Sequence, residues 1–439
     1  MDLNGREIHL VTQPATRYAY AKDENGNDDP SKTPEASQEI VRILKEIEKD
    51  YNCKIVVDIV KGSKIVDQML EDKAAGDVKY DILDYGVSDT YLDLLVNNGL
   101  VMDMNDPSIK DIIKFGENPW TAQSDYGLFN GVQYAVQFDT NNTSNILRNA
   151  LLFNVDLAKE YELGDIYGYV KDGTWTWEKF EELCEKIAAK SDGSVVPAGY
   201  GKENLIMPMI VFSNDATVAD TIDGKIKYTM NDDNALEAAN WVVKLREKGW
   251  LAPNWSTKDG DGNVTYPEGY TDLAAFTEGK AVFFFDFYGD LQKYANGTTD
   301  TQYTYGIVPC PLGPQAVKNG DSYHGVTYSV DLKMIAAGCE KPEEVAAVLV
   351  AIANRCIKHD IAKTELETSL MDVESRDMVM IMYNDMRSDI SRKVTGKGTE
   401  YGNKISSANT SVLKLEKTPA QAYDEIKDTM EALYNTLNQ

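Results

Sequence analysis

The sequence holds few residues able to act as nucleophile, base or soft metal ligand. There are three histidines, at 9, 324 and 359, and five cysteines, at 53, 184, 310, 339 and 356. No H-E-x-x-H occurs, which removes the standard helix-borne zinc site. No G-x-S-x-G occurs, and with it goes the hydrolase nucleophile elbow. Gly396-Lys397-Gly398 lacks the leading glycine and the hydroxyl of a phosphate-cradling loop, and no full G-x-G-x-x-G follows a strand pattern. Paired carboxylates of the glycosidase kind have no spacing rule to test among 71 acids. From Asp259 the Asp-x-Asp-x-Asn spacing opens like a calcium loop. Val264 then stands where glycine is needed and Tyr270 where glutamate is needed, so a surface hairpin turn is expected there and no metal. The cysteines form no C-x-x-C pair, and their odd number excludes a disulfide framework. No cofactor and no catalytic residue is expected.

The side chains in good supply suit binding. The chain has 25 Tyr, 11 Phe and 6 Trp. Flat rings stack on the apolar faces of sugars, while carboxylates and amides take the hydroxyls. A mostly aromatic cleft with a few convergent polar groups is the usual anatomy of a ligand site. The same rings would equally serve as core. The balance of 71 acidic against 44 basic residues leaves a net charge of −27. Such a field repels phosphate backbones and anionic lipid, which argues against nucleic-acid and membrane-surface binding. It also keeps a protein dispersed.

The elements that must position these residues alternate between strand and helix. Length alone, 439 residues with 43% apolar content, predicts at least two folded domains. Ile8–Val11, Lys54–Val60 and Tyr80–Leu83 read as strands. Helices are predicted after Thr33-Pro34 and over Lys64–Ala75, giving crossovers and a mainly parallel sheet. Thr176 is expected to cap a helix with Phe180, Leu183, Cys184 and Ile187 on one stripe. Asn231–Lys248 reads as a helix stopped by Gly249, and Lys341–Arg355 as another. Thr418-Pro419-Ala420-Gln421 is a capping box opening a last helix. No run approaches 18 apolar residues, so no spanning helix is expected. Met1–Arg6 carries no charged-then-apolar leader, and any signal peptide is expected to have been trimmed.

Six segments in order give a second line of reasoning. Tyr80-Asp81-Ile82-Leu83-Asp84-Tyr85 with Leu92–Met104, Leu151–Leu157, and Thr174-Trp175-Thr176-Trp177-Glu178-Lys179-Phe180 come first. Ala275-Phe276-Thr277-Glu278-Gly279-Lys280-Ala281-Val282, Tyr305–Gly313 and Lys341-Pro342-Glu343-Glu344 follow. Together they resemble the family 1 extracellular solute-binding proteins of ABC importers, the maltose-binding-protein-like group. The F-x-x-G-K-A run is the most specific, and the matches span roughly residues 5 to 435. Insertions at Asp23–Asp29, Asp165–Lys171 and Asp259–Gly269 depart from the pattern, so a maltose-like substrate is not implied.

The resemblance implies an α/β, two-lobed type II periplasmic-binding-protein fold with discontinuous domains and crossover hinge strands. Crossings are expected near 134–139, 282–286 and 324–328. Lobe one is then residues 1–134 plus 287–323, and lobe two residues 140–281 plus 329–439. It implies a monomer, outside the cell or at its surface and lipid-anchored, that captures a mono- or oligosaccharide and delivers it to an ABC permease. A same-fold binder of a polyamine or amino acid is the alternative, a carbohydrate-active enzyme a more distant one. The expected ligand residues are Arg17 and Tyr18 after strand one, Tyr85, Ser88 and Asp89 after strand three, Gln137 in the first crossing, Asp286 and Tyr288 at the second, and His324 at the third. Trp120 and Trp255 are possible platforms, whereas Trp175, Trp177 and Phe283–Phe285 read as structural.

Overall fold

The computed structural model describes residues 1–13, 17–86, 92–115, 117, 125–129, 131–138, 150–201, 203–252, 257–258, 264–265, 272–286, 302–327, 331–361, 363–365, 370, 372–391 and 398–436. Two sheets organise them. The first has five strands, β1 (Arg6–Thr12), β2 (Cys53–Ile59), β3 (Ile82–Gly86), β4 (Val136–Gln137) and β10 (Asp331–Ile335), in the spatial order β2-β1-β3-β10-β4. β1, β2 and β3 are parallel, and β10 runs antiparallel to both neighbours. The second sheet has four strands, β5 (Ala150–Asn154), β6 (Val196–Tyr200), β7 (Ala281–Asp286) and β8 (Tyr305–Pro309), in the order β8-β5-β7-β6. β6 and β7 are parallel, and β5 is antiparallel to β7 and β8. A short parallel pair joins β9 (Gly325–Thr327) to β11 (Met386–Ser388).

Helices cover the sheets, most of them through one apolar stripe. α1 (Glu35–Tyr51) buries Ile40, Ile43, Leu44 and Ile47 and stops where Asn52 turns left-handed at φ 48°. It packs on α5 (Pro342–Lys358), and both belong to the core under the first sheet. In the second lobe α2 (Trp177–Lys190) starts at Thr176, whose side chain accepts from the Lys179 amide. α3 (Glu203–Ser213) and α4 (Asp233–Glu247) follow, then α6 (Val373–Asn384), α7 (Gly398–Leu413) and α8 (Pro419–Asn435). The expected capping box of α8 forms, Thr418 and Gln421 each accepting from the other's backbone amide. All five cysteines are free and buried. Thr257–Lys258 pairs antiparallel with Val264–Thr265, the hairpin expected around the calcium-like loop. Among the described residues no helix is long and apolar enough to cross a membrane.

The sheets divide the chain differently from the expected lobes. β8 lies within residues 287–323, assigned in advance to lobe one, yet it pairs with β5 in the second sheet. β10 and α5 lie within 329–439, assigned to lobe two, yet β10 sits between β3 and β4 in the first sheet. Val282–Asp286 is not a crossing, because β7 is an inner strand, paired on both sides within the second sheet. Its six residues are all buried. A short apolar run has the same look whether it crosses between lobes or lies inside a sheet. The chain instead passes between sheets from β4 to β5, from β9 to β10, and from α5 to α6. Of the expected crossings, those near 134–139 and 324–328 fall on the first two passages, and the third passage lies beyond Ile361, which is still in the first core.

Candidate functional site

Strand direction fixes where the two lobes meet. β4 is parallel to β3, so the chain leaves the first sheet at the carboxyl ends of its parallel strands. It enters the second sheet at the start of β5, which lies at the carboxyl ends of β6 and β7. β10 likewise begins at the carboxyl end of β3. Both sheets therefore direct their parallel carboxyl ends toward the connecting strands. In open α/β sheets that is where a ligand crevice forms.

On lobe one this end is closed by a network of charges. Asp84 on β3 is directly opposite Lys333 on β10 in the antiparallel register. Lys333 Nζ lies 3.5 Å from Asp84 Oδ1 and donates to the Phe138 carbonyl at 2.9 Å. Arg17 reaches Asp84 Oδ2 at 3.1 Å and Asp331 Oδ2 at 2.8 Å. The Tyr18 hydroxyl donates to Asp84 Oδ2 at 2.6 Å. Asp84 is fully buried, and Arg17, Tyr18 and Lys333 are nearly so. Burial works against ionised Asp84, but Lys333, Arg17 and the Tyr18 hydrogen bond outweigh it and hold its pKa below the ordinary value. Burial first, then Asp84, raises the Tyr18 phenol well above its usual range. Two cations and two anions thus balance, with Asp331 alone of the four partly exposed. Phe138 begins the passage out of lobe one and Asp331 ends the return into it, so the network fastens both.

Arg17 and Tyr18, expected at the ligand, therefore have their polar atoms engaged inside the protein. Tyr85 also differs from its expected role as a crevice ring: it has no exposed surface, it belongs to the core with Leu83 and Tyr126, and its hydroxyl donates to the Val60 carbonyl at 3.0 Å. On β3, successive side chains alternate faces, which directs Tyr85 to the side opposite Asp84. Gln137 is half-buried on β4, opposite Leu332. Asp84, Asp331 and Lys333 escaped the sequence reading. The available signal was a charged residue inside each of two otherwise apolar strand runs, since buried charges occur in partnered sets.

On lobe two an aromatic core lies behind the sheet. Trp177 stacks on Trp241 with ring centroids 4.5 Å apart and planes 6° from parallel. Trp175 is fully buried, meets Phe180 edge-on at 5.9 Å, and donates Nε1–H to the Pro309 carbonyl at 2.8 Å. Phe283, Phe284 and Phe285 are buried on β7. The structural roles expected for these rings match their places. Asp286 ends β7 nearly buried, its carboxylate packed against the α-carbon of Gly201, which follows β6.

The connecting strands carry His324 and a tyrosine. His324 is buried just before β9, its Nδ1 3.3 Å from the Ser322 carbonyl and 3.7 Å from Asp321 Oδ2. Burial, then nearby Arg387, lowers its pKa. Tyr126, in the core of lobe one, donates its hydroxyl hydrogen between the carbonyls of Thr327, at 2.8 Å, and Asp389, at 2.6 Å. Ser88, Asp89, Tyr288, Trp120 and Trp255 lie outside the described residues. Among the described residues no three His, Cys, Asp or Glu side chains are placed to share a metal ion.

Two α/β lobes built from interleaved segments, linked by three passages and facing each other across their strand ends, define a binding protein of the hinge-closing class. The sequence profile of the bacterial extracellular solute-binding proteins matches residues 42–352, and the chain belongs to that family. No curated protein sequence matches significantly. Among solved structures, the sugar-binding protein MalE from the phytopathogen Xanthomonas citri is similar, with a TM-score of 0.62 at 11% identity, covering 98% of each chain. A cyclo/maltodextrin-binding protein complexed with maltotetraose gives 0.60 at 15% identity over 99% of each chain. A Listeria monocytogenes ABC substrate-binding protein in complex with cycloalternan gives 0.58 at 15% identity, covering 98% of this chain and 99% of that one.

Proposed function

We propose that this protein is the substrate-binding component of an ABC importer and that it closes on an uncharged mono- or oligosaccharide between its lobes. The observation that carries the reading is the pair of facing strand ends joined by three passages, in a chain whose fold is that of three sugar-complexed or sugar-binding structures over nearly its full length. The charges of the first lobe cancel among themselves, so that wall offers no net charge to a charged solute. Gln137, Asp286, Ser88, Asp89 and Tyr288 would meet sugar hydroxyls and ring faces. Arg17, Tyr18 and Tyr85 would shape the wall behind them, and His324 would act within the hinge. Ligand bound to both lobes favours the closed state by its differential affinity, and a permease reads that closure. The protein works outside the cell, lipid-anchored and monomeric, without turning its ligand over.

A thermal-shift screen with mono- and oligosaccharides, amino acids and polyamines tests this. A site ligand at 100 times its dissociation constant adds about 2.7 kcal/mol of stability. One sugar series is expected to raise the melting temperature and be recovered intact. A shift from amines alone would make the ligand class wrong, and consumption of the sugar would make the protein an enzyme.

A further inference from the structure

Gly201 has no backbone reason to be glycine. Its φ lies outside the left-handed region that favours glycine, unlike Gly279 at 78° or Gly249 at 69°. Its amide continues the sheet by donating to the Phe285 carbonyl at 3.0 Å, as any residue's would. The missing side chain is what matters. A Cβ at this position would collide with Asp286 Oδ2 and stand 2.7 Å from Asp286 Cγ. Gly306 and Gly313 also have ordinary φ, and there the space is taken by the Tyr167 and Phe153 side chains and by Asn214 and Trp177, all parts of the packed interior. At Gly201 it is taken by a carboxylate, at the crevice ends of two adjacent parallel strands.

We infer that Gly201 is a positioning residue for ligand recognition: its bare α-carbon is the seat that aims the Asp286 carboxylate at a hydroxyl-bearing ligand. This rests on the sugar-binding reading above. An alanine at 201 displaces the far end of a two-torsion side chain rather than backbone, so the strand ladder survives while the carboxylate shifts. A misaimed carboxylate loses a charge-assisted hydrogen bond to a hydroxyl, which changes affinity by about ten- to a hundredfold.

The test is a double-mutant cycle read by titration calorimetry with maltotetraose, or with whichever sugar stabilises the protein in the screen. Gly201→Ala and Asp286→Ala are each expected to weaken binding about ten- to a hundredfold. The double variant is expected to bind no more weakly than Asp286→Ala alone, because the glycine acts only through the carboxylate. Wild-type affinity in Gly201→Ala, or the same fold loss in the Asp286→Ala background, overturns the inference and leaves the sugar reading standing. Failure of the wild-type protein to bind any sugar overturns both. Should Gly201→Ala not fold, Asp286→Glu with Gly201 retained asks the same question: the longer carboxylate overfills the seat and weakens binding, and unchanged affinity refutes the seat.

Discussion

The two lobes present opposite chemistry at the same topological position. At the strand ends of lobe one, three buried charges, the partly buried Asp331 and a phenol engage one another. In lobe two, stacked and edge-on rings fill the core behind those ends, and the Asp286 carboxylate tops an inner strand. Removing a ring from the second wall leaves a hole, whereas removing a charge from the first leaves its partners uncompensated. Both walls are rigid, one through dispersion and apolar burial and the other through ion pairing that is costly to disturb.

Substitutions on each side test that contrast. Trp175→Ala is expected to cost about 3–5 kcal/mol in urea unfolding, since it empties a fully buried site and orphans the Pro309 carbonyl. Asp84→Ala is expected to cost about the same by the other route, stranding Lys333 and Arg17 in the interior. The routes separate when partners are removed together. Asp84→Leu with Lys333→Met is expected to recover much of the loss, because Arg17 keeps Asp331. A double variant as unstable as the single one would mean that the walls do not differ as described.

Acid sharpens the contrast. The folded-state pKa of Asp84 lies below the ordinary 3.8, so its contribution is complete above that pH and is lost as pH falls through the depressed value. The acid limb of the stability profile is expected to be shallower in Asp84→Asn than in the wild type, measured by urea unfolding at stepped pH. A smaller effect is expected between the walls. Tyr126→Phe removes the hydroxyl that ties lobe one to Thr327 and Asp389, at about 0.5–1.5 kcal/mol. Away from both walls, Thr418→Ala is expected to cost about 1 kcal/mol through the lost cap of α8.

What was legible in the sequence follows the range of the interactions. Thr176 and Thr418 could be recognised as caps because the groups they satisfy lie three residues away. The helix of Ile40, Leu44 and Ile47 declared itself through spacing alone. Val282–Asp286 was recognisable as a strand, but its neighbours β5 and β6 are set by pairing that no local pattern encodes. For the same reason β8 and β10 were assigned to the wrong lobes. The charge network was hidden because Asp84 and Lys333 meet only through the register of strands far apart in the chain. Tyr85 was misjudged by face: two adjacent residues of β3 point opposite ways, and the sequence does not say which way is the crevice. Asp286 was singled out from its place after the F-x-x-G-K-A run, whereas the glycine beneath it was not, since that contact joins two strands far apart in the sequence.

The placement of β10 has a consequence for how the chain is made. It is an interior strand of the first sheet, between β3 and β4, although it is synthesised after every strand of the second sheet. A nascent chain emerging amino end first holds β1–β4 for some two hundred residues without the strand that joins β3 to β4. The second lobe, in turn, waits for α6–α8. Neither core is complete until β10 and α6–α8 have emerged, so the closure of both lobes waits for the last part of the chain.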